Sequence, residues 1–214
     1  MSAAEERLRY KAEALLRKAS PTGRIVHELV MDRGSNRLDL ASVEVDRIVA
    51  VEIKSDVDVL DRLADQLTTA HRCAHQVWVV SGVRHADSVH DRLKSLGSPC
   101  CHTAHYFETS ELGPLEVYRW RHPYRDQPPD PRSLARLLWV AEWQEALAAA
   151  GFKPDTAHDR LCRQAIEELT GRDLRRWVCA HLRARRFPRA DAPIAIQLEQ
   201  RPGGWKQPAQ ERLV

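Results

Sequence analysis

Long hydrophobic runs are missing from this chain of 214 residues, whose mean hydropathy is −0.50. No stretch approaches the ~20 consecutive apolar residues that a membrane-spanning helix needs. The first eighteen residues mix charged side chains with alanine and leucine, and they lack the apolar centre of a secretory signal. We therefore expect a protein of the cytoplasm that neither crosses a membrane nor is exported.

Cysteine is scarce and unsuited to a disulfide framework. The five cysteines are odd in number and none of them forms a C-x-x-C pair, so we expect reduced thiols. Cysteines and histidines at 71–75 and 100–105 suggest zinc only weakly, because their spacing does not bring them to one face of a helix or strand. Buried thiols and surface histidines are the better interpretation.

An excess of one charge is also missing from the chain as a whole, since the formal net charge is only +3. The charge is nevertheless uneven. Residues 1–130 carry 18 basic and 20 acidic side chains, whereas residues 131–214 carry 15 and 10. An anionic polymer is therefore expected to bind the second part of the chain.

Hydrophobic periodicity predicts alternating helices and strands, which is typical of an α/β protein. The predicted helices cover 5–19, 57–74, 85–96, 133–150, 159–169 and 171–186. The predicted strands cover 24–31, 37–45, 48–55, 76–80, 100–107 and 115–120.

Four prolines between 122 and 131 predict an extended connection, because proline continues neither a helix nor a central strand. We therefore divide the chain into an α/β core at 1–121, a proline-rich linker at 122–132 and a basic helical domain at 133–187. The segment 188–214 is rich in proline, glycine and glutamine, and we expect a loosely ordered tail there.

The second and third predicted strands place two acids and a lysine together. If Val45 and Asp46 form the centre of a hairpin, Asp39 lies opposite Glu52, and Lys54 follows on the same face. Facing carboxylates repel each other unless a cation lies between them. Asp39 and Glu52 are therefore candidate ligands of Mg²⁺, for which Mn²⁺ is expected to substitute.

Lys54 would then lie beside a metal-bound water, where an ammonium group can orient the water for attack on a phosphodiester. The alternative is that the E-x-K pattern is a solvated strand face. The apolar residues earlier on the same face, and the placing of acid opposite acid, favour a functional site.

The order helix, three strands, helix, strand, with twelve residues between Asp39 and Glu52-Ile53-Lys54, resembles the PD-(D/E)XK nuclease superfamily. The blocks at 52–66 and 137–142 resemble a poorly characterised group of small bacterial and phage members. The resemblance implies a restriction-endonuclease-like αβββαβ core with a small C-terminal helical domain.

The resemblance also implies roles for particular residues. Asp39, Glu52 and Lys54 would be the catalytic set, Gln66 would support it, and Glu28 would correspond to an extra acid near the metal. One departure is that Ala70, followed by His71, stands where relatives often carry tyrosine.

The last predicted helix carries arginines on one broad side and an apolar seam on the other, which suits nucleic-acid binding. A solvated face is an equally good interpretation, and a partner protein or a second copy of the chain is a further candidate. The arginines are Arg172, Arg175, Arg176, Arg183, Arg185 and Arg186.

These patterns predict a Mg²⁺-dependent nuclease acting on DNA. Two alternatives stay open from the sequence. One is a non-catalytic nucleic-acid-binding or scaffold subunit that retains the nuclease fold, and the other is RNA as the substrate.

Overall fold

A six-stranded mixed sheet forms the centre of the computed structural model, which describes residues 3–31, 34, 36–95, 104–109, 116–118 and 127–197. The strands are β1 (Arg24–Met31), β2 (Asn36–Val43), β3 (Ile48–Lys54), β4 (Gln76–Gly82), β5 (Ala104–Thr109) and β6 (Glu116–Tyr118). They lie in chain order across the sheet. The pairs of β3 with β4 and of β4 with β5 are parallel, and the other pairs are antiparallel.

Helices cover both faces of the sheet, which confirms the α/β class. The helices are α1 (Ala3–Ala19), α2 (Leu63–Cys73), α3 (Ala86–Ser95), α4 (Pro131–Ala135), α5 (Val140–Ala149), α6 (His158–Glu168) and α7 (Gly171–Ala184), and a short 3-10 helix covers Val83–His85. Within the described residues, no helix is long and apolar enough to cross a bilayer.

Side chains along the central strands alternate between the two faces of the sheet, so the hydrophobic core forms two clusters. Leu8, Ala12 and Leu16 of α1 pack against one face, where Val49 and Val51 of β3 contribute to the same cluster. The other face packs against α2 and the C-terminal helices. Because successive strand residues point to opposite faces, the β-branched run of β3 fills both clusters and is buried throughout.

The C-terminal helices share one continuous hydrophobic cluster with the sheet, whereas the sequence suggested a separate unit behind a linker. Trp143, Leu161 and Trp177 belong to the same cluster as Val26 and Ala41 of the sheet. Much of the proposed linker lies outside the described residues, and the domain boundaries stay a prediction. The packing nevertheless joins the two parts across their apolar faces.

The predicted helix at 133–150 is wrong in one respect, because it is divided into α4 and α5. The backbone N–H of Trp139 donates to the Glu142 carboxylate at 2.7 Å, so a new helix begins there. The indole N–H of Trp143 donates to the carbonyl of Ala135 at 2.7 Å, which ties the new helix to the end of the old one.

The tail also differs from expectation where it is described. Ala190 forms a bridge with Val26 of β1, and the Asp191 carboxylate forms an ion pair with Arg17 of α1 at 2.7 Å. The edge of β1 supplies backbone partners that a sequence pattern of period two does not reveal. Residues 189–191 are therefore held against the sheet, and the predicted tail beyond residue 197 lies outside the described residues.

Candidate active site

The hairpin of β2 and β3 has the register that the sequence predicts. Val43 pairs with Ile48 and Ala41 pairs with Ala50. The ladder ends at Leu40 and Val51, one position before Asp39 and Glu52. At that point the Asp39 carboxylate replaces the missing strand partner, since its Oδ2 accepts a 2.8 Å hydrogen bond from the backbone N–H of Ile53.

Lys54 joins the third strand to the following helix. Its ammonium donates to Oε1 of Glu52 at 2.7 Å and to Oε1 of Gln66 at 2.9 Å. Glu52 and Lys54 are both buried. The structure therefore brings Asp39, Glu52, Lys54 and Gln66 to one place, where the sequence predicted a catalytic set.

The loop after β3 explains why α2 begins later than the predicted residue 57. Oδ2 of Asp58 accepts hydrogen bonds from both the backbone N–H and the hydroxyl of Ser55, at 2.6 and 2.7 Å. A carboxylate that holds backbone N–H groups in this way stabilises a turn in place of a helix. The helix then begins at Leu63, and Gln66 lies one turn inside it, facing Lys54.

Glu28 lies in the same row of carboxylates. It lies opposite Asp39 in the pairing of β1 with β2. This position follows from the two flanking pairs, which are His27 with Leu40 and Leu29 with Leu38. Its φ of 57° lies in the left-handed region, which costs a residue with a side chain about 1–3 kcal/mol. Such strain is typical of functional sites, and Glu28 forms ion pairs with Arg9 and Arg37.

Arg9 of α1 is the member of the site that the sequence did not reveal. Its buried guanidinium donates to the Asp39 carbonyl at 2.7 Å and to Asp39 Oδ1 at 3.2 Å. It also pairs with Glu5 at 3.1 Å and with Glu28 at 3.2 Å. Burial alone would lower the pKa of Arg9, but these carboxylates together raise it. The spacing of Glu5 and Arg9 at i and i+4 was the available signal, and it indicates only a helix-surface pair.

The two inner carboxyls hold their protons more tightly than usual. Burial and then the negative charge of Asp39 raise the pKa of Glu52 to about 7, although Lys54 opposes the change. Burial also raises the pKa of Asp39, against the hydrogen bond from Ile53 and the charge of Arg9. Burial is the largest cause in both cases, so the folded protein favours the protonated forms of these two carboxyls.

Within the described parts of the chain, no group of three or more histidine, cysteine or acidic side chains is arranged to hold a metal ion. Asp39 and Glu52 are a smaller set of two carboxylates. Two carboxylates are sufficient for Mg²⁺, which keeps several of its waters and also accepts phosphate oxygens.

The arginines predicted to bind nucleic acid differ in exposure. Helix α7 is buried along most of its length, while Arg172 and Arg186 are exposed. Arg185 is a correction, because its guanidinium forms an ion pair with Glu142 and donates to the Leu137 carbonyl at 2.8 Å. Its side chain is only 7% exposed, so it is not available to a phosphate.

Comparison with known proteins identifies a family. The model of the family described as bacteriophage P4 protein cII matches residues 7–197, and the chain belongs to this family. The matched range includes both the sheet and the C-terminal helices. Neither the curated proteins nor the solved structures gave a match.

Proposed function

We propose that this protein is a metal-dependent nuclease that hydrolyses phosphodiester bonds of DNA, with a core of the restriction-endonuclease-like kind. The observation that carries the proposal is the position of the Lys54 ammonium, held between Glu52 and Gln66 beside the carboxylate of Asp39. A fixed ammonium next to two acids is an arrangement that suits attack on a phosphate.

The donor set fits Mg²⁺ or Mn²⁺, and Asp39 and Glu52 would hold the ion. Their carboxylate oxygens are the hard donors that these ions prefer. Burial raises the pKa of both groups, and a cation bound between them would favour their charged forms. When bound, the ion supplies a Lewis acid and makes a coordinated water easier to deprotonate.

The protein's own residues supply charge and position. Glu52 and Gln66 accept hydrogen bonds from the ammonium of Lys54, and these two bonds fix the direction in which its remaining N–H donor points. A lysine in that position can donate to a phosphate oxygen and stabilise the negative charge that develops there. Arg9 holds α1 against Asp39 and keeps that carboxylate directed towards β3.

The arginines of α7, and Arg186 just after it, are proposed to bind the phosphate backbone outside the reaction centre. Arg172 and Arg186 are exposed, and Arg175, Arg176 and Arg183 are partly exposed. Contacts of this kind hold the polymer without reading its sequence.

A second candidate is a non-catalytic nucleic-acid-binding or scaffold subunit with the same fold. Arg9 favours it, because one guanidinium already pairs with Asp39, Glu28 and Glu5. An arginine that neutralises the acids takes over part of the role of a metal ion. The two candidates differ in whether Mn²⁺ uptake is accompanied by cleavage.

A cleavage assay with highly purified protein distinguishes them. Single-stranded, double-stranded and branched DNA, and the matching RNA, are incubated with Mg²⁺, with Mn²⁺ or with EDTA. The nuclease proposal expects metal-dependent products from at least one DNA substrate. Cleavage confined to RNA would replace DNA as the substrate. Mn²⁺ binding that depends on Asp39 and Glu52, without cleavage of any nucleic acid, would support the scaffold.

A further inference from the structure

A cleft of about 1070 Å³ lies between the edge of the sheet and the C-terminal helices. Its volume is slightly above the range of about 300–1,000 Å³ that is typical of ligand sites. Among the described residues that line it are six arginines and only two acids, Glu28 and Asp159. Glu28 also pairs with Arg9 of the carboxylate site, so the cleft opens beside that site.

Trp139 gives the cleft an aromatic surface. The side chain is 60% exposed, although tryptophan is usually well buried. One side of its ring is covered by the guanidinium of Arg185, whose central carbon lies 4.1 Å from the ring centroid. Arg185 is itself fixed by Glu142 and the Leu137 carbonyl, so the indole rests on a rigid support.

The charges around this ring suit a phosphate backbone. Arg186 and Arg189 line the cleft and are exposed, and Arg136 lines it as well. Arg185 supports Trp139 and forms an ion pair with Glu142, so it is not available to a phosphate. An aromatic ring surrounded by arginines is the arrangement in which proteins stack nucleic-acid bases while binding their phosphates.

We infer that the cleft binds single-stranded nucleic acid, with one base stacked on the free side of Trp139 and the neighbouring phosphates on Arg186 and Arg189. A paired base in a duplex has both faces covered by its neighbours, so it cannot stack on Trp139 without leaving the helix. The choice of ligand rests on the proposed function. Stacking on Trp139 narrows the substrate class of the proposed nuclease to strands whose bases are unstacked.

The test measures binding without cleavage. Fluorescence anisotropy in EDTA compares a short labelled single strand of DNA, the same sequence as RNA, and a duplex. Wild-type protein is expected to bind a single strand more tightly than the duplex. Trp139→Ala is expected to weaken single-strand binding about tenfold to a hundredfold, and Trp139→Phe to retain most of it, because stacking survives.

Two further variants keep the test independent of any change in folding. Arg186→Gln with Arg189→Gln changes only exposed side chains and should weaken binding and reduce its salt dependence. Tyr10→Ala removes another exposed aromatic side chain, outside the cleft, and should leave binding unchanged.

The inference is overturned if the duplex binds as tightly as the single strands, if no strand binds, or if Trp139→Ala binds like wild type. Loss of cleavage in the metal-dependent assay with intact single-strand binding would instead overturn the nuclease proposal alone. Cleavage that is insensitive to Trp139 and to the two arginines would overturn the cleft alone.

Discussion

The guanidinium of Arg9 lies 3.2 Å from Oδ1 of Asp39 and donates to the carbonyl oxygen of the same residue at 2.7 Å. Helix α1 is therefore joined to β2 at the point where β2 stops pairing with β3. The same arginine pairs with Glu5 and Glu28, so one buried cation contacts acids from one helix and two strands.

Replacing Arg9 with Met should destabilise the protein by about 3–5 kcal/mol at neutral pH. The change keeps much of the side-chain volume but leaves three half-buried carboxylates without their buried cation. Urea denaturation measures the loss. Arg7→Met, an exposed position on the same helix, should change the free energy of unfolding by less than about 0.5 kcal/mol. Equal losses in the free energy of unfolding for the two substitutions would show that the ion pairs of Arg9 do not stabilise the site.

The pKa of Glu52 predicts how stability depends on pH without metal. The carboxyl titrates near its ordinary value of 4.5 in the unfolded chain and at about 7 in the folded protein. Between these values the unfolded chain loses the proton first, so stability falls as pH rises. The free energy of unfolding should fall by about 3 kcal/mol between pH 4.5 and 7.

Glu52→Gln should remove most of that fall, and the variant should be more stable than wild type at pH 8 in EDTA. Added Mg²⁺ should raise the free energy of unfolding of the wild-type protein. It should not raise that of Glu52→Gln, because only the carboxylate binds the ion. Chemical denaturation across the pH range measures both effects. Glu167→Gln, an exposed change on α6, is the matched control. A wild-type protein whose stability rises through this pH range would contradict the assignment.

Removing arginines from α7 should reduce the salt dependence of nucleic-acid binding. Changing Arg175, Arg176 and Arg183 to glutamine should weaken binding of unrelated sequences about equally and reduce the salt slope by about one unit for each phosphate that is no longer bound. Cleavage at saturating nucleic acid should change much less, because these arginines position the polymer. Anisotropy across a salt series tests this. An unchanged slope would leave the Trp139 cleft as the surface that holds the strand.

The hairpin of the site could be predicted because its geometry is local. The connection between β2 and β3 is short, so the alternation around Val45 and Asp46 sets the register of every pair, and Val43 does face Ile48. The proximity of Asp39, Glu52 and Lys54 follows from that register alone. Gln66 depended on the resemblance to a known superfamily, since its contact with Lys54 crosses from strand to helix.

Features that depend on contacts between distant segments could not be predicted. Arg9 reaches Asp39 across thirty residues, and Asp191 reaches Arg17 across 174. Arg185 appears in the sequence as one more arginine of a basic helix, and only the position of Glu142 shows that it is buried. Periodicity reports which side of an element is apolar, and it does not report which charged group meets which.

Single-turnover cleavage of labelled DNA tests the central claim most directly, because it isolates the chemical step from binding and product release. With Mg²⁺ and saturating protein, the proposal predicts that Asp39→Ala, Glu52→Ala and Lys54→Ala are each at least about a hundredfold slower than wild type. The triple variant should be hardly slower than the single ones, because the three residues act as a unit. Glu52→Ala protein, highly purified and correctly folded, that cleaves at the wild-type rate would contradict the account.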